Sequence, residues 1–272
     1  MLFLLLSIIA SALIGNLLMV FKRDETSNIY LIFLGNYVTA SIFSLANTSG
    51  SITALKPFDV ILGCTAGLFF LVNFLIYRRN IEVNGLSLSV GVMRISLIIP
   101  TVLSIAVFSE HIGVVNYIGI GVIIAAFAFI TETRSMHSLI WIGLLFVITG
   151  CTDATLKIFE ELGHGPKEWF VFLIFASAGL WNVLVIAIRK TRFQWRSFGY
   201  GLILGVPNQL TTRFFLSSLD SVPAAIAYPL MASGVVVLTI LTDICIWRRR
   251  FNPKQRLALA LIIGGIALLN IQ

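Results

Sequence analysis

Arg94 sits inside an apolar run, Gly85–Phe108, with Pro100 six residues further on and Glu110 just past the end of the run. A charge inside hydrocarbon is costly and is normally turned toward a bundle interior, a cavity or a partner. A proline in such a helix frees a backbone carbonyl that protein or water must satisfy. The guanidinium is a planar fork of donors matched to a carboxylate, so one chemistry for Arg94 is capture of an anionic group on a substrate. The other reading has Arg94 donate to backbone carbonyls near Pro100, or snorkel toward the membrane surface.

Asp153, Lys157 and Arg213 are further charges inside apolar runs. At a rise of ~1.5 Å per residue, Arg94 lies roughly 14 Å deep, and Asp153 and Arg213 reach about 22–24 Å from the same side. The depths match Asp153 to Arg213, and Lys157, one turn beyond Asp153, is a neighbour on the same helix face. A structural ion-pair cluster is therefore expected. The sharper alternative makes Asp153 a proton carrier coupled to substrate occupancy. Trp181 and Asn182, with Asn36 and Tyr37, would give a cavity one aromatic wall and a few donors; helix-packing filler is the competing reading. Asn208 and Gln209 follow Pro207, and Tyr228 precedes Pro229. Broken helices of this kind frame substrate sites in transporters, although a plain kink would use the same residues.

No other constellation offers chemistry. The three cysteines, Cys64, Cys151 and Cys245, lie in apolar runs without metal or redox spacing, and His111, His137 and His164 fall in short links or at helix ends. No H-E-x-x-H or Ser-His-Asp arrangement can be assembled, so no catalysis, metal or other cofactor is expected.

The elements that must position these residues follow from composition. The 272 residues are 58% hydrophobic and 11% charged, against about 25% charged in soluble domains. Spanning helices need about 20 apolar residues. Cutting at charged and Pro/Gly-rich gaps predicts ten spans: Met1–Phe21, Asn28–Asn47, Phe58–Tyr77, Gly85–Phe108, Gly113–Thr131, Ser138–Lys157, Glu168–Ile188, Ser197–Leu219, Val222–Trp247 and Arg256–Ile271. Met1–Asn16 lacks the basic start of a signal peptide and reads as a permanent helix. The net charge of +7 is a topology signal and not a nucleic-acid footprint. Lys22, Arg23, Arg78, Arg79, Arg134, Arg189, Lys190, Arg192, Arg196, Arg248–Arg250, Lys254 and Arg256 follow odd-numbered spans, whereas only Lys56 and Lys167 follow even ones. Basic loops stay cytoplasmic, so both termini are expected outside.

The two halves share spacings in order. Gly15 and Lys22 match Gly150 and Lys157; Leu31-Ile32-Phe33 matches Leu173-Ile174-Phe175; Gly63 and Gly67 match Gly201 and Gly205; Arg94 to Glu110 overlies Ala227 to Asp243. The glycine-rich fifth span overlies Gly264-Gly265 in the tenth. Five spans per half is odd, so the halves would insert in opposite orientations, as inverted repeats do in many secondary transporters.

On these features the chain resembles the drug/metabolite transporter superfamily, EamA-like branch. The resemblance rests on Gly15 with Lys22, on Glu110-His111-Ile112 and Tyr117-Ile118-Gly119, and on Asp243, Gln255 and Gly264-Gly265. Asp243 stands where that family usually has glutamate, the Arg248–Arg250 link is long, and the first span has Asn16 but no acid. The resemblance implies a metabolite carrier with a central cavity between the repeats.

The expected fold is thus all-α and integral to the inner (plasma) membrane, with both termini periplasmic. Ten helices are expected in two five-helix inverted repeats, residues 1–131 and 138–272. The expected activity is secondary transport of a small polar or zwitterionic metabolite, an amino acid or derivative, by alternating access. The site set is Arg94, Asn36, Tyr37, Trp181, Asn182, Asn208, Gln209 and Tyr228, with Asp153, Lys157 and Arg213 for ion pairing or proton coupling. A sugar or sugar-phosphate carrier is the alternative within transport, and a membrane enzyme or lipid-handling scaffold the alternative outside it. The partners are a small-molecule substrate and the bilayer, with no nucleic acid, for a monomer or homodimer.

Overall fold

The computed structural model describes residues 1–21, 24, 26–48, 51–84, 86–130, 138–245 and 253–270. Of the residues used above, Lys22, Arg23, Arg134, His137, Trp247 and Arg248–Arg250 lie outside this set, as does the Asp243 side chain. Among the described residues there is no strand. The helices are α1 (Leu2–Phe21), α2 (Ile29–Ala46), α3 (Pro57–Asn84), α4 (Leu86–Ile95), α5 (Ile98–Ala106), α6 (Val114–Ile130), α7 (Leu139–Leu162), α8 (Lys167–Ile188), α9 (Trp195–Ser218), α10 (Ala224–Cys245) and α11 (Pro253–Leu269). A short 3-10 turn, Ile52–Ala54, precedes α3. Among the described residues, seven segments are long and apolar enough to cross a membrane: α1, α2, α3, Leu88–Ala106, α7, α8 and the Ala224–Thr242 part of α10. The chain has the helix set of a multi-pass membrane protein.

Two of the boundaries that differ from expectation have identifiable physical reasons. The run Gly85–Phe108, expected as one helix, is two: α4 ends at Ile95 and α5 begins at Ile98. Pro100 has no N–H to give the Ser96 carbonyl, and its ring crowds that carbonyl. The Ser96 oxygen instead accepts the Ile99 amide at 3.0 Å, and the Ser96 hydroxyl turns back to the Met93 carbonyl at 2.7 Å. The third span continues past Tyr77 to Asn84. The Arg78 and Arg79 charges that suggested a loop lie on this helix, each paired with Glu82, at 3.4 and 3.0 Å.

The chain divides into two compact units, and each draws on both halves of the sequence. One comprises Leu2–Leu71 and Ile158–Ser218; the other comprises Val72–Lys157 and Leu219–Gln272, with Met1. Sequence repeats and compact units are therefore different partitions of the chain.

In the first unit, glycines bring backbones together. A Cβ on Gly201 of α9 would run into the Ile32 carbonyl of α2 and stand 2.8 Å from the Asn36 nitrogen; one on Gly205 would lie 2.6 Å from the Thr39 Cβ. Gly67 of α3 likewise meets Ser177 and the Ile174 carbonyl of α8, and Gly63 meets the Leu173 Cβ at 2.8 Å. The pairs Gly63 with Gly67 and Gly201 with Gly205 are thus each packed against a helix of the same chain. Lipid tails are as apolar as leucine, so close backbone packing does much of the work of holding such helices together. Around this seam, Phe21 stacks on Tyr200 with centroids 4.5 Å apart, and Phe159 stacks on Phe170 at 3.8 Å. The turn at His164-Gly165 is tied down by Asp59, whose buried carboxylate accepts the amides of Lys56, His164 and Gly165 at 2.9–3.0 Å. Between α1 and α2, the Thr26 hydroxyl donates to Asp24 at 2.6 Å and holds its carboxyl below the usual carboxylate range, with help from the Arg196 charge and the Tyr200 hydroxyl.

In the second unit, α6 and α11 approach through Gly119 and Gly265, and Asn116 donates to the Leu269 carbonyl at 3.2 Å. Leu88 and Val92 of α4 pack on Leu145 of α7, with Ile76 and Tyr77 of α3 against them. Buried amides join the same helices at one end. Asn84 exchanges hydrogen bonds with the Ser138 backbone at 2.9 and 3.2 Å, and also donates to Asn80, which donates to Ser89 at 2.8 Å.

Gly199 and Gly201 sit two residues apart on α9, but Gly199 faces open space. Gly201→Ala should destabilise the detergent-solubilised protein by about 1–3 kcal/mol, the usual scale of overpacking. Gly199→Ala should be neutral or stabilising by about 0.5–1 kcal/mol, because alanine restricts the unfolded chain. Thermal melting of the two variants side by side tests the contact.

Candidate functional site

Arg94 occupies the last turn of α4, immediately before the break at Ser96-Leu97. A cation there is favoured by the helix dipole, but the guanidinium makes no hydrogen bond or ion pair at contact distance among the described residues. Its electrostatic neighbours are Asp153 of α7 and Tyr77 of α3. Asp153 likewise has Arg94 as its charged neighbour, with the two groups in coulombic range but not touching. Both side chains are half-buried.

The helix carrying Asp153 is fixed on several sides. Tyr228 of α10 donates its hydroxyl to the Asp153 carbonyl at 2.7 Å. One turn earlier, Thr149 donates to Asn73 of α3 at 2.8 Å. Between them, Gly150 lets Ile99 of α5 lie where a side chain would otherwise stand. One turn later, buried Lys157 reaches Glu110 at 2.6 Å. Glu110 in turn accepts the amides of Ala224 and Ala225 at 3.0 and 2.8 Å, the first two residues of α10. A carboxylate satisfies helix N-terminal amides that have no partner within the helix and is favoured by the dipole there. Lys157, Glu110 and the α10 terminus form a closed, mutually compensated group.

The expected cluster of Asp153 with Lys157 and Arg213 is therefore not formed. Lys157 pairs with Glu110, and Arg213 has Glu168 as its counter-ion at 4.0 Å. The depth estimate failed because it placed charges by their Cα positions on upright helices. A long arginine or lysine stem carries its head well away from its own Cα.

The amide residues fall in the other unit. Asn208 of α9 donates to Asn36 of α2 at 3.1 Å, and Asn182 of α8 donates to the Tyr30 carbonyl at 3.0 Å. Asn36, Tyr37, Asn182 and Gln209 are buried. The Asn36 Nδ2, Asn182 Oδ1 and Gln209 Oε1 atoms have no hydrogen-bond partner among the described residues, an uncommon state for buried polar groups. Trp181 does not share a surface with Asn182. It is 41% exposed on an apolar face with Leu180, Val183 and Leu184, an outward surface suited to hydrocarbon.

Asn73, Tyr77 and Thr149 did not figure among the expected site residues. Their signal was present as helical spacing. Asn73, Tyr77, Asn80 and Asn84 mark one polar stripe on α3, and Thr149, Asp153 and Lys157 recur every fourth residue on α7.

No protein-family model matches the chain. It is 24% identical over 249 aligned residues to an uncharacterized protein of Haemophilus influenzae, covering 85% of this chain and 84% of that one. A solved structure titled only as the crystal structure of a protein matches with a TM-score of 0.79 at 12% identity, over 99% of this chain and 95% of the other. At that identity the likeness is one of fold.

Truncating one partner of a buried ion pair costs about 3–5 kcal/mol, because the other charge is left uncompensated. Glu110→Ala should therefore sharply lower the melting temperature in detergent. Combining it with Lys157→Met should recover most of the loss, leaving only the cost of the two α10 amides.

Proposed function

We propose that this protein is a secondary transporter that carries a small polar or zwitterionic organic metabolite across the inner membrane by alternating access. The observation that carries the reading is the Arg94 guanidinium. It stands half-buried in an apolar segment, beside a proline-induced break, with no hydrogen-bond or ion-pair partner among the described residues. A scaffold protein has little use for a charge held out of contact with its counter-ion in such a place, whereas a carrier needs a polar group that its substrate completes.

Part of the composition of the compact units supports inverted repetition, although the first and sixth expected spans fall in different units. The second expected span lies in the same unit as the seventh, the fourth with the ninth, and the fifth with the tenth. Such pairs belong together if two five-span halves inserted in opposite senses. On this reading the chain has ten membrane spans and belongs with the EamA-like drug/metabolite transporters, and the Arg78–Arg79 and Arg189–Arg196 segments face the cytoplasm.

Two outcomes are expected. Purified protein in proteoliposomes should take up or exchange a solute from a panel of water-soluble metabolites, and Arg94→Gln should lower that flux about tenfold or more, the scale of one lost charge-assisted hydrogen bond. Flux unchanged by Arg94→Gln would remove Arg94 from the substrate path. Separately, alkaline phosphatase fused at the C-terminus should be active and a cytoplasm-dependent fluorescent fusion dark, as positive-inside orientation requires.

A further inference from the structure

We infer that the stretch from Arg189 to Arg196, which joins α8 to α9, is a seat for the headgroup of an anionic phospholipid. Lys190 and Arg192 take the phosphate, and Phe193 and Trp195 lie at headgroup level. The inference needs only that the chain spans a bilayer, and it is independent of what the protein carries.

Three observations lead to it. First, the stretch holds four cations, and their uses differ. The Arg189 guanidinium lies over the Tyr30 ring, 5.1 Å from its centroid, and Arg196 pairs with Asp24 at 3.0 Å and donates to the Tyr200 hydroxyl. Lys190 and Arg192 are exposed, and their side chains make no hydrogen bond or ion pair among the described residues. Second, the backbone holds Lys190 in a conformation that suits glycine. Its φ is 50°. The Lys190 amide donates to the Ala187 carbonyl at 3.1 Å and the Thr191 amide to the Ile186 carbonyl at 3.2 Å. That pair of bonds closes a helix on a left-handed residue, usually glycine. A side chain there costs stability, and no contact of the lysine within the described protein offsets it. Third, the cations adjoin apolar surface that ends in aromatic rings. Leu180, Leu184 and Ile188 share one exposed face of α8 at four-residue spacing. Beyond the cations, Phe193 meets Trp195 edge to face at 5.0 Å, and Trp195 is still 78% exposed.

These features together select the occupant. A solvated basic loop has no use for an exposed tryptophan and phenylalanine, and a hydrocarbon-facing helix has no use for unpaired cations at its end. A phospholipid complements both. Its acyl chains cover the apolar face of α8, its headgroup region is the level that tryptophan favours, and its phosphate accepts from ammonium and guanidinium donors. Lys and Arg clustered at the end of a spanning helix attract anionic lipid for the same reason. A free phosphate would meet the cations but leave the rings in water, which decides for the lipid.

The test uses the purified full chain in neutral detergent, with phosphatidylglycerol, phosphatidylcholine of the same chain length, and glycerol 3-phosphate as a headgroup without chains. Native mass spectrometry should show phosphatidylglycerol bound about tenfold or more tightly than phosphatidylcholine, each cation beside an anionic headgroup being worth about fivefold. Lys190→Gln combined with Arg192→Gln should remove most of that ratio. Arg78→Gln combined with Arg79→Gln, at cations already paired with Glu82, should leave it in place. Lys190→Gly separates backbone from ligand: it should raise the melting temperature in lipid-free detergent and weaken phosphatidylglycerol binding about fivefold. Ratios within one preparation do not depend on how much of a variant folds. Equal binding of the two lipids, equal loss in both double variants, or a melting shift with glycerol 3-phosphate as large as with phosphatidylglycerol overturns the inference.

Discussion

In a segment without water, each charge and each free backbone amide must find its partner inside the protein. The group formed by Lys157, Glu110 and the first amides of α10 meets this demand in full. One carboxylate offsets a buried ammonium and at the same time completes a helix end that follows a tight link. Asp59 does the same for the turn at His164-Gly165, and the Asn80–Asn84 set does so where α3 gives way to α4. The irregular points of the fold are the points where side chains take over from helical hydrogen bonding.

Against that background the incomplete groups stand out. Arg94 and Asp153 feel one another without touching, in surroundings where neighbouring charges are closed off. Asn36, Asn182 and Gln209 in the other unit each bury a polar atom with no partner among the described residues. The proposed carrier function takes these open groups as places for a polar solute. That contrast, more than any single residue, supports a carrier over a scaffold.

Glycine has a matching role in the apolar part of the structure. Gly201 and Gly205 let α9 lie on the backbone of α2, Gly67 does so for α3 on α8, and Gly119 with Gly265 for α6 on α11. Gly150 differs in purpose. The space it leaves is filled by Ile99, from the helix that restarts after the Ser96-Leu97 break, and this contact lies one turn from Asp153. Packing and site are therefore built from the same stretch of α7.

The residues alone determined the helical class, the positions of the apolar segments, the break near Pro100 as a marked place, and Arg94 and Asp153 as groups that need explanation. These follow from local sums: twenty apolar residues in a row, a missing amide, a charge where hydrocarbon is expected. Tertiary structure alone decided the partners. Lys157 bonds Glu110 rather than Asp153, Arg213 faces Glu168, Trp181 turns outward while Asn182 turns in, and α3 continues through its arginines. Each of these depends on how helices rotate and tilt against one another and on where a long side chain carries its charge, and neither quantity is contained in the spacing of residues along the chain.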